Sequence, residues 1–185
     1  MADVKPISET YLADMRARFT SLRSTADGAL EQTSDENFFS PLGGAEDNSI
    51  AIVVKHMAGN LRSRFTDFLD SDGEKPGRDR DAEFEVREGD TRERMMQDWN
   101  MGWVTLLGVL QALKPDDLDR TITIRGESHP VLGALDRQLS HHAYHVGQIV
   151  LLAKHFAGSN WKTLSIPRRG SSEFNAQMQA KQQKQ

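Results

Sequence analysis

The sequence predicts an all-α protein, a four-helix bundle with one long polar crossover and a short strand or hairpin before the last helix. Three observations predict it. Apolar residues recur at three-to-four spacing in four separate segments, those segments are parted by stretches rich in Gly, Pro and charge, and strict alternation occurs in only one short stretch. A chain of 185 residues is long enough to bury one core. The expected domain spans residues 1–175. The Gln/Lys tract over 176–185 holds too little apolar surface to offset the entropy of folding and is expected to be a disordered tail.

The first helix is read from Ser8 to about Gln32, with Tyr11, Leu12, Met15, Phe19, Leu22 and Ala26 on one stripe and Pro6 and Ser8 opening it. Thr33 to Asn48, containing Ser40-Pro41-Leu42-Gly43-Gly44, reads as a connecting loop. Ile52, Val53, His56, Met57, Leu61, Phe65 and Phe68 trace the second helix. Asp70 to Asp90 shifts to Asp, Glu, Arg, Lys and Gly, with Phe84 and Val86 as the large apolar residues, and forms the polar crossover. The third helix follows Met95, Trp99, Trp103, Leu106, Leu107 and Leu110 and stops before Lys114-Pro115, since proline cannot extend a helix. Ile122 and Ile124 alternate with Thr121, Thr123 and Arg125 and close on Gly126, the strand or hairpin signal. The fourth and most apolar helix runs from Pro130, suited to a first turn, to about Phe156, and Gly158 stops it.

Composition narrows the function classes. The apolar fraction is 37% and the mean hydropathy −0.59. No segment approaches the roughly 18 apolar residues of a membrane span, and Met1-Ala2-Asp3-Val4-Lys5 has neither the basic nor the apolar part of a secretory leader, so a cytoplasmic protein without membrane contact is expected. A net charge of −4 with interspersed signs offers no basic stripe for phosphates, which argues against nucleic acid as a partner. The chain has no cysteine, which excludes disulfides, a cysteine nucleophile and thiolate ligands. Histidine, carboxylate and water are left to hold a metal.

The candidate site is carried by His141-His142-Ala143-Tyr144-His145 and the following Val146-Gly147-Gln148-Ile149. Residues at i and i+4 lie one above the other on a helix of about 3.6 residues per turn, so His141 and His145 can reach one ion between neighbouring helices. They share an inward stripe with Ala134, Gln138, Gln148 and Leu152, and His56 on the second helix is the natural third ligand. Three histidines with an open position would be the arrangement of a catalytic rather than a structural site. His142, at i−3 from His145, is the alternative to His141 as ligand or a supporting neighbour. His129 reads as a cap before Pro130, and His155 as a favourable charge at a helix C-terminus.

Other residues bear on a pocket. Gln148, near His145, can hydrogen-bond a metal-bound water or serve as an ordinary buried amide. Trp103, one turn from Trp99, is a core or dimer-face residue or a substrate wall. Arg78 and Arg80 in the crossover either face solvent or meet an anionic cosubstrate. Arg168 and Arg169 read as loop residues. Gly147 is expected to permit a close helix approach, because glycine inside a helix costs about 1 kcal/mol.

His56 followed far downstream by His-x-x-x-His-Val-Gly-Gln-Ile, on a cysteine-free four-helix frame, resembles the DinB/YfiT-like superfamily of metal-dependent enzymes. Asp72-Gly73-Glu74-Lys75-Pro76 with Arg78-Asp79-Arg80, Thr123-Ile124-Arg125-Gly126-Glu127, and Asn160-Trp161-Lys162 resemble an uncharacterised bacterial subgroup of it. The resemblance implies a divalent ion, zinc or nickel, on His56, His141 and His145, and a homodimer. It also implies a small-molecule substrate and a low-molecular-weight thiol activated by the metal, as in thiol-dependent S-transferases. A non-catalytic, dimeric metal-binding or stress-response module is the competing expectation. A metal-dependent hydrolase, which needs a base, is a third.

Overall fold

The computed structural model describes residues 6–44 and 46–183. The first five residues, read above for a leader, and the last two of the polar tail lie outside it. The chain is mostly helical: α1 (Ile7–Leu30), α2 (Asp35–Phe39), α3 (Ile50–Phe65), α4 (Arg92–Ala112), α5 (Val131–Ala157) and α6 (Ser171–Gln182), with a two-stranded antiparallel sheet of β1 (Thr121–Ile124) and β2 (Glu127–Pro130). No helix among the described residues is long and apolar enough to cross a membrane.

The long helices begin where side chains satisfy their first free N–H groups. Ser49 accepts from the Ile52 N–H to open α3, and Thr91 accepts from the Arg94 N–H to open α4. The loop expected over 33–48 contains α2, because Ser34 caps it, Asp35 and Glu36 suit its N-terminus, and Phe38 buries beneath it. Helix α3 ends earlier than its apolar stripe suggests. Asp67 turns the chain at φ 46°, and Phe68 folds back to stack on Phe65 at 5.3 Å between ring centroids.

α3 packs on α4 and α5, and α1 on α5 and α4. One core forms between them from Phe19, Leu61, Trp99, Trp103, Leu106, Leu110 and Ile149, all fully buried. Two arginines bind α1 to α4 through carbonyls left free at helix ends. Arg92 donates to the Leu30 and Thr33 carbonyls at 2.7 Å, and Arg16 to the Leu110 carbonyl at 2.7 Å. The hairpin read from alternation is present. Its two-residue loop, Arg125-Gly126, has φ 56° and 77°, the conformation that matches strand twist and that glycine at the second position favours. His129 lies in β2 rather than in a cap, and Pro130 precedes α5.

Residues 171–182, across most of the span expected to be a disordered tail, form α6, whose residues are all exposed. Its Glu, Gln, Ala and Lys content favours helix locally without a face to bury.

Gly147 is not a point of close approach: among the described residues a Cβ there meets nothing within 4 Å outside its own helix backbone. That role falls to Gly102 on α4, where a Cβ would lie 2.9 Å from Leu61 Cβ and 3.4 Å from the Ala58 carbonyl oxygen of α3. In urea titrations Gly102→Val should therefore lose about 2 kcal/mol or more through overpacking, whereas Gly147→Ala should gain about 0.5–1 kcal/mol from helix propensity. A loss at Gly147 would restore the packing role expected from the sequence.

Candidate metal centre

His56 projects from the middle of α3 toward α5, and His141 and His145 meet it from successive turns of α5. Each offers one ring nitrogen, and these three atoms all lie within 4.8 Å of one another. His56 Nε2 stands 3.3 Å from His141 Nε2, and the ring centroid of His145 lies 4.9 Å from His56 and 4.6 Å from His141. Two ring nitrogens that close need a proton or a cation between them. Metal–nitrogen bonds of about 2.0–2.1 Å at tetrahedral angles place adjacent ligand nitrogens about 3.3–3.4 Å apart, so the His56–His141 separation is one edge of such a site. The donor set fits a borderline divalent ion that takes imidazole.

The far sides of two rings are held by neighbours. His56 Nδ1 lies 2.9 Å from Glu83 Oε2, and Glu83 is gripped by Arg78, whose Nε and terminal nitrogen donate at 2.8 Å to one carboxylate oxygen each. His145 Nδ1 is 2.7 Å from Gln148 Oε1, and the Gln148 amide in turn donates to the Tyr144 hydroxyl at 3.3 Å. With Nδ1–H donated outward, each ring turns the lone pair of Nε2 inward. His141 Nδ1 is buried with no partner among the described residues.

Electrostatics keep the rings available. Burial, then the neighbouring imidazoles, pushes His141 down to about 3, and burial also lowers His145. Both are neutral at pH 7, the form that binds metal. Burial alone would raise the Glu83 carboxyl, but the hydrogen bonds from His56 and Arg78 and the charge of Arg78 together hold it below the usual carboxylate range.

The other candidates fall elsewhere. His142 is fully buried, donates Nδ1–H to the Gln138 carbonyl at 2.6 Å, and packs between Phe19 and Trp103. One step of about 100° around α5 turns it away from the cluster and into the core. Trp103 is likewise fully buried against Trp99 and lines neither of the two cavities beside α3, so it is core rather than a pocket wall. Arg78 and Arg80 do line a cavity, of about 170 Å³, which His56 and His141 also line. A larger one of about 280 Å³, against α3 and α4, includes none of the three histidines.

Glu83 is the residue that the sequence reading missed. It sits 6% exposed in a 3₁₀ turn, Asp81–Phe84, inside the segment read as a polar crossover. The available signal was Gly59, a mid-helix glycine one turn past His56. A Cβ there would stand 2.1 Å from Glu83 Oε1, so Gly59 clears the space in which the carboxylate reaches His56.

The model of a family described as "Protein of unknown function (DUF1572)" matches residues 6–170. The chain belongs to that family. The matched span holds the three histidines, Glu83 and the arginines of the cavity. No curated protein and no solved structure matches the chain.

Glu83→Gln removes the charge behind His56, and Gly59→Ala displaces the same carboxylate by a direct clash. Each should weaken binding of zinc about 10–100-fold in competition with a chromogenic chelator. Unchanged affinity in both would show that Glu83 has no part in the centre.

Proposed function

We propose that this protein is a divalent-metal-dependent enzyme, using zinc or nickel, whose most concrete activity is of the thiol-cosubstrate-dependent S-transferase type on a DinB-like four-helix bundle. The observation that carries the metal reading is the convergence of His56, His141 and His145 on one point with a tetrahedral edge already set. Closed structural sites take four protein ligands, and here three imidazoles meet beside a cavity, which favours a site that leaves a position for substrate.

A divalent ion held there supplies Lewis acidity and lowers the pKa of a thiol or water that completes its coordination. The chain's own part is positional. Glu83 and Gln148 fix two rings with their lone pairs inward, and the buried walls of α3 and α5 limit water. The thiol reading rests on the resemblance to the DinB/YfiT-like superfamily and on the lack of cysteine, which means that a thiol nucleophile must be brought in. A hydrolase would want a free base. Both oxygens of Glu83 are taken, by Arg78 and by His56, which counts against it in that role. The homodimer and cytoplasmic setting come from the same resemblance and from composition.

Cobalt(II) in place of the native ion makes the thiol step visible. Titrating the cobalt-loaded protein with cysteine, glutathione or dithiothreitol should produce a sulfur-to-cobalt charge-transfer band that saturates with at least one of them. Bound cobalt with no such band for any of the three would rule out the thiol and leave the metal site without that cosubstrate.

A further inference from the structure

The cavity beside the histidines is walled by arginine. Arg64, Arg78, Arg80, Arg125 and Arg137 line it, so five guanidiniums face one space and no carboxylate is among the lining residues. Arg64, 5% exposed, and the Arg78 side chain sit deep, whereas Arg80, Arg125 and Arg137 stand exposed around the mouth.

Two carboxylates behind the wall only partly offset this charge. Glu74 Oε2 is shared by three arginines, Arg64 at 2.9 Å, Arg125 at 3.0 Å and Arg78 at 3.4 Å. Glu83 is shared by Arg78 and His56. At the mouth, Arg80 has the nearly fully exposed Asp81 at 3.9 Å, a pair that solvent screens, and Arg137 makes no hydrogen bond or ion pair among the described residues. Like charges gathered this closely repel unless something negative binds among them.

The floor carries unmet hydrogen-bonding capacity too. Asn60 Oδ1, Gln138 Oε1, Arg64 Nε and His141 Nδ1 are buried without partners among the described residues, and the residues that bear them all line this cavity. Buried polar atoms in native proteins are nearly always paired, so four orphans on one lining mark a place where a ligand or its waters belong.

The fold goes to some length to hold the wall. The Asp72 carboxylate accepts from the N–H groups of Glu74, Gly126 and Arg125 at 2.6 to 2.9 Å, and these contacts pull its pKa down to about 2. That knot ties the crossover to the hairpin loop and so places Arg125 beside Glu74.

We infer that this cavity is an oxyanion subsite, binding a carboxylate or phosphate group of a small-molecule substrate or cosubstrate within reach of His56 and His141. Guanidinium forks match both groups in bidentate geometry, and the volume suits one such group with a short carbon chain. The inference deepens the metal reading, since two candidate ligands line the same space, but the arginines can be tested without the ion.

The test is calorimetric titration of the full-length chain with inorganic phosphate and with succinate at low ionic strength, once as purified and once after chelation. One saturable site per chain is expected for at least one probe. Its affinity should drop at least tenfold in Arg137→Gln and Arg80→Gln, and stay unchanged in Arg120→Gln, which pairs with Asp70 and Asp117 outside the cavity. Phosphate alone would assign the site to a phosphoryl group, and succinate alone to a carboxylate. Equal losses in all three variants, or no saturable binding of either probe, would overturn the inference. Stoichiometric metal without anion binding would remove the subsite and leave the metal reading. Anion binding by a protein that takes up no metal would do the reverse.

Discussion

A single buried carboxylate organises this end of the molecule. Glu83 sits between the guanidinium of Arg78 and the imidazole of His56, and a charge so far from water persists only when its partners surround it. Meeting that requirement draws the crossover down onto α3. It requires Gly59 to lack a side chain, fixes the face of the His56 ring, and turns Nε2 toward α5. Removing Arg78 would leave Glu83 underpaired, and removing Glu83 would leave the His56 ring without its acceptor and Arg78 with only its longer contact to Glu74. The chemistry proposed for the centre depends on this arrangement more than on any other contact.

Around it the charges form two linked layers. Glu74 and Asp72 hold the arginines of the crossover and hairpin in place, and Arg64 crosses from α3 to the Gly73 carbonyl and Glu74. His141 and His145, kept neutral by burial, sit beside a wall kept positive. A neutral ligand gains little from such a wall. An anion gains orientation, because its charged end is fixed while its other end lies near His56 and His141.

Much of this was legible in the sequence, and for physical reasons. A period of three to four residues, with proline and glycine as stops, located α1, α3, α4 and α5, and alternation closing on Gly126 located the hairpin. Spacing at i and i+4 put His141 and His145 on one face, and the structure brings His56 to the same place. The crossover was not legible. Its acids read as solvated residues, its Arg78 and Arg80 as either solvated or facing an anionic cosubstrate, and nothing local distinguishes Glu83, buried, from Glu85, exposed, because the difference arises from which of them meets α3. The same limit applies to Arg64, Arg125 and Arg137, which come from three elements and converge only in the folded chain. Gly147 was misjudged because residue type alone suggested a packing role, whereas an open helix face decided it; for Trp103 the core reading holds and the pocket-wall alternative does not.

The central claim is that three histidines, and not the fourth beside them, hold an ion. Its most direct test is metal content by mass spectrometry on untagged protein, for wild type and for His56→Ala, His141→Ala, His145→Ala and His142→Asn. The account predicts about one zinc or nickel ion per chain in wild type and His142→Asn, and its loss in the other three. Absence of stoichiometric metal from wild type, or its loss in His142→Asn with retention in His141→Ala, would contradict it.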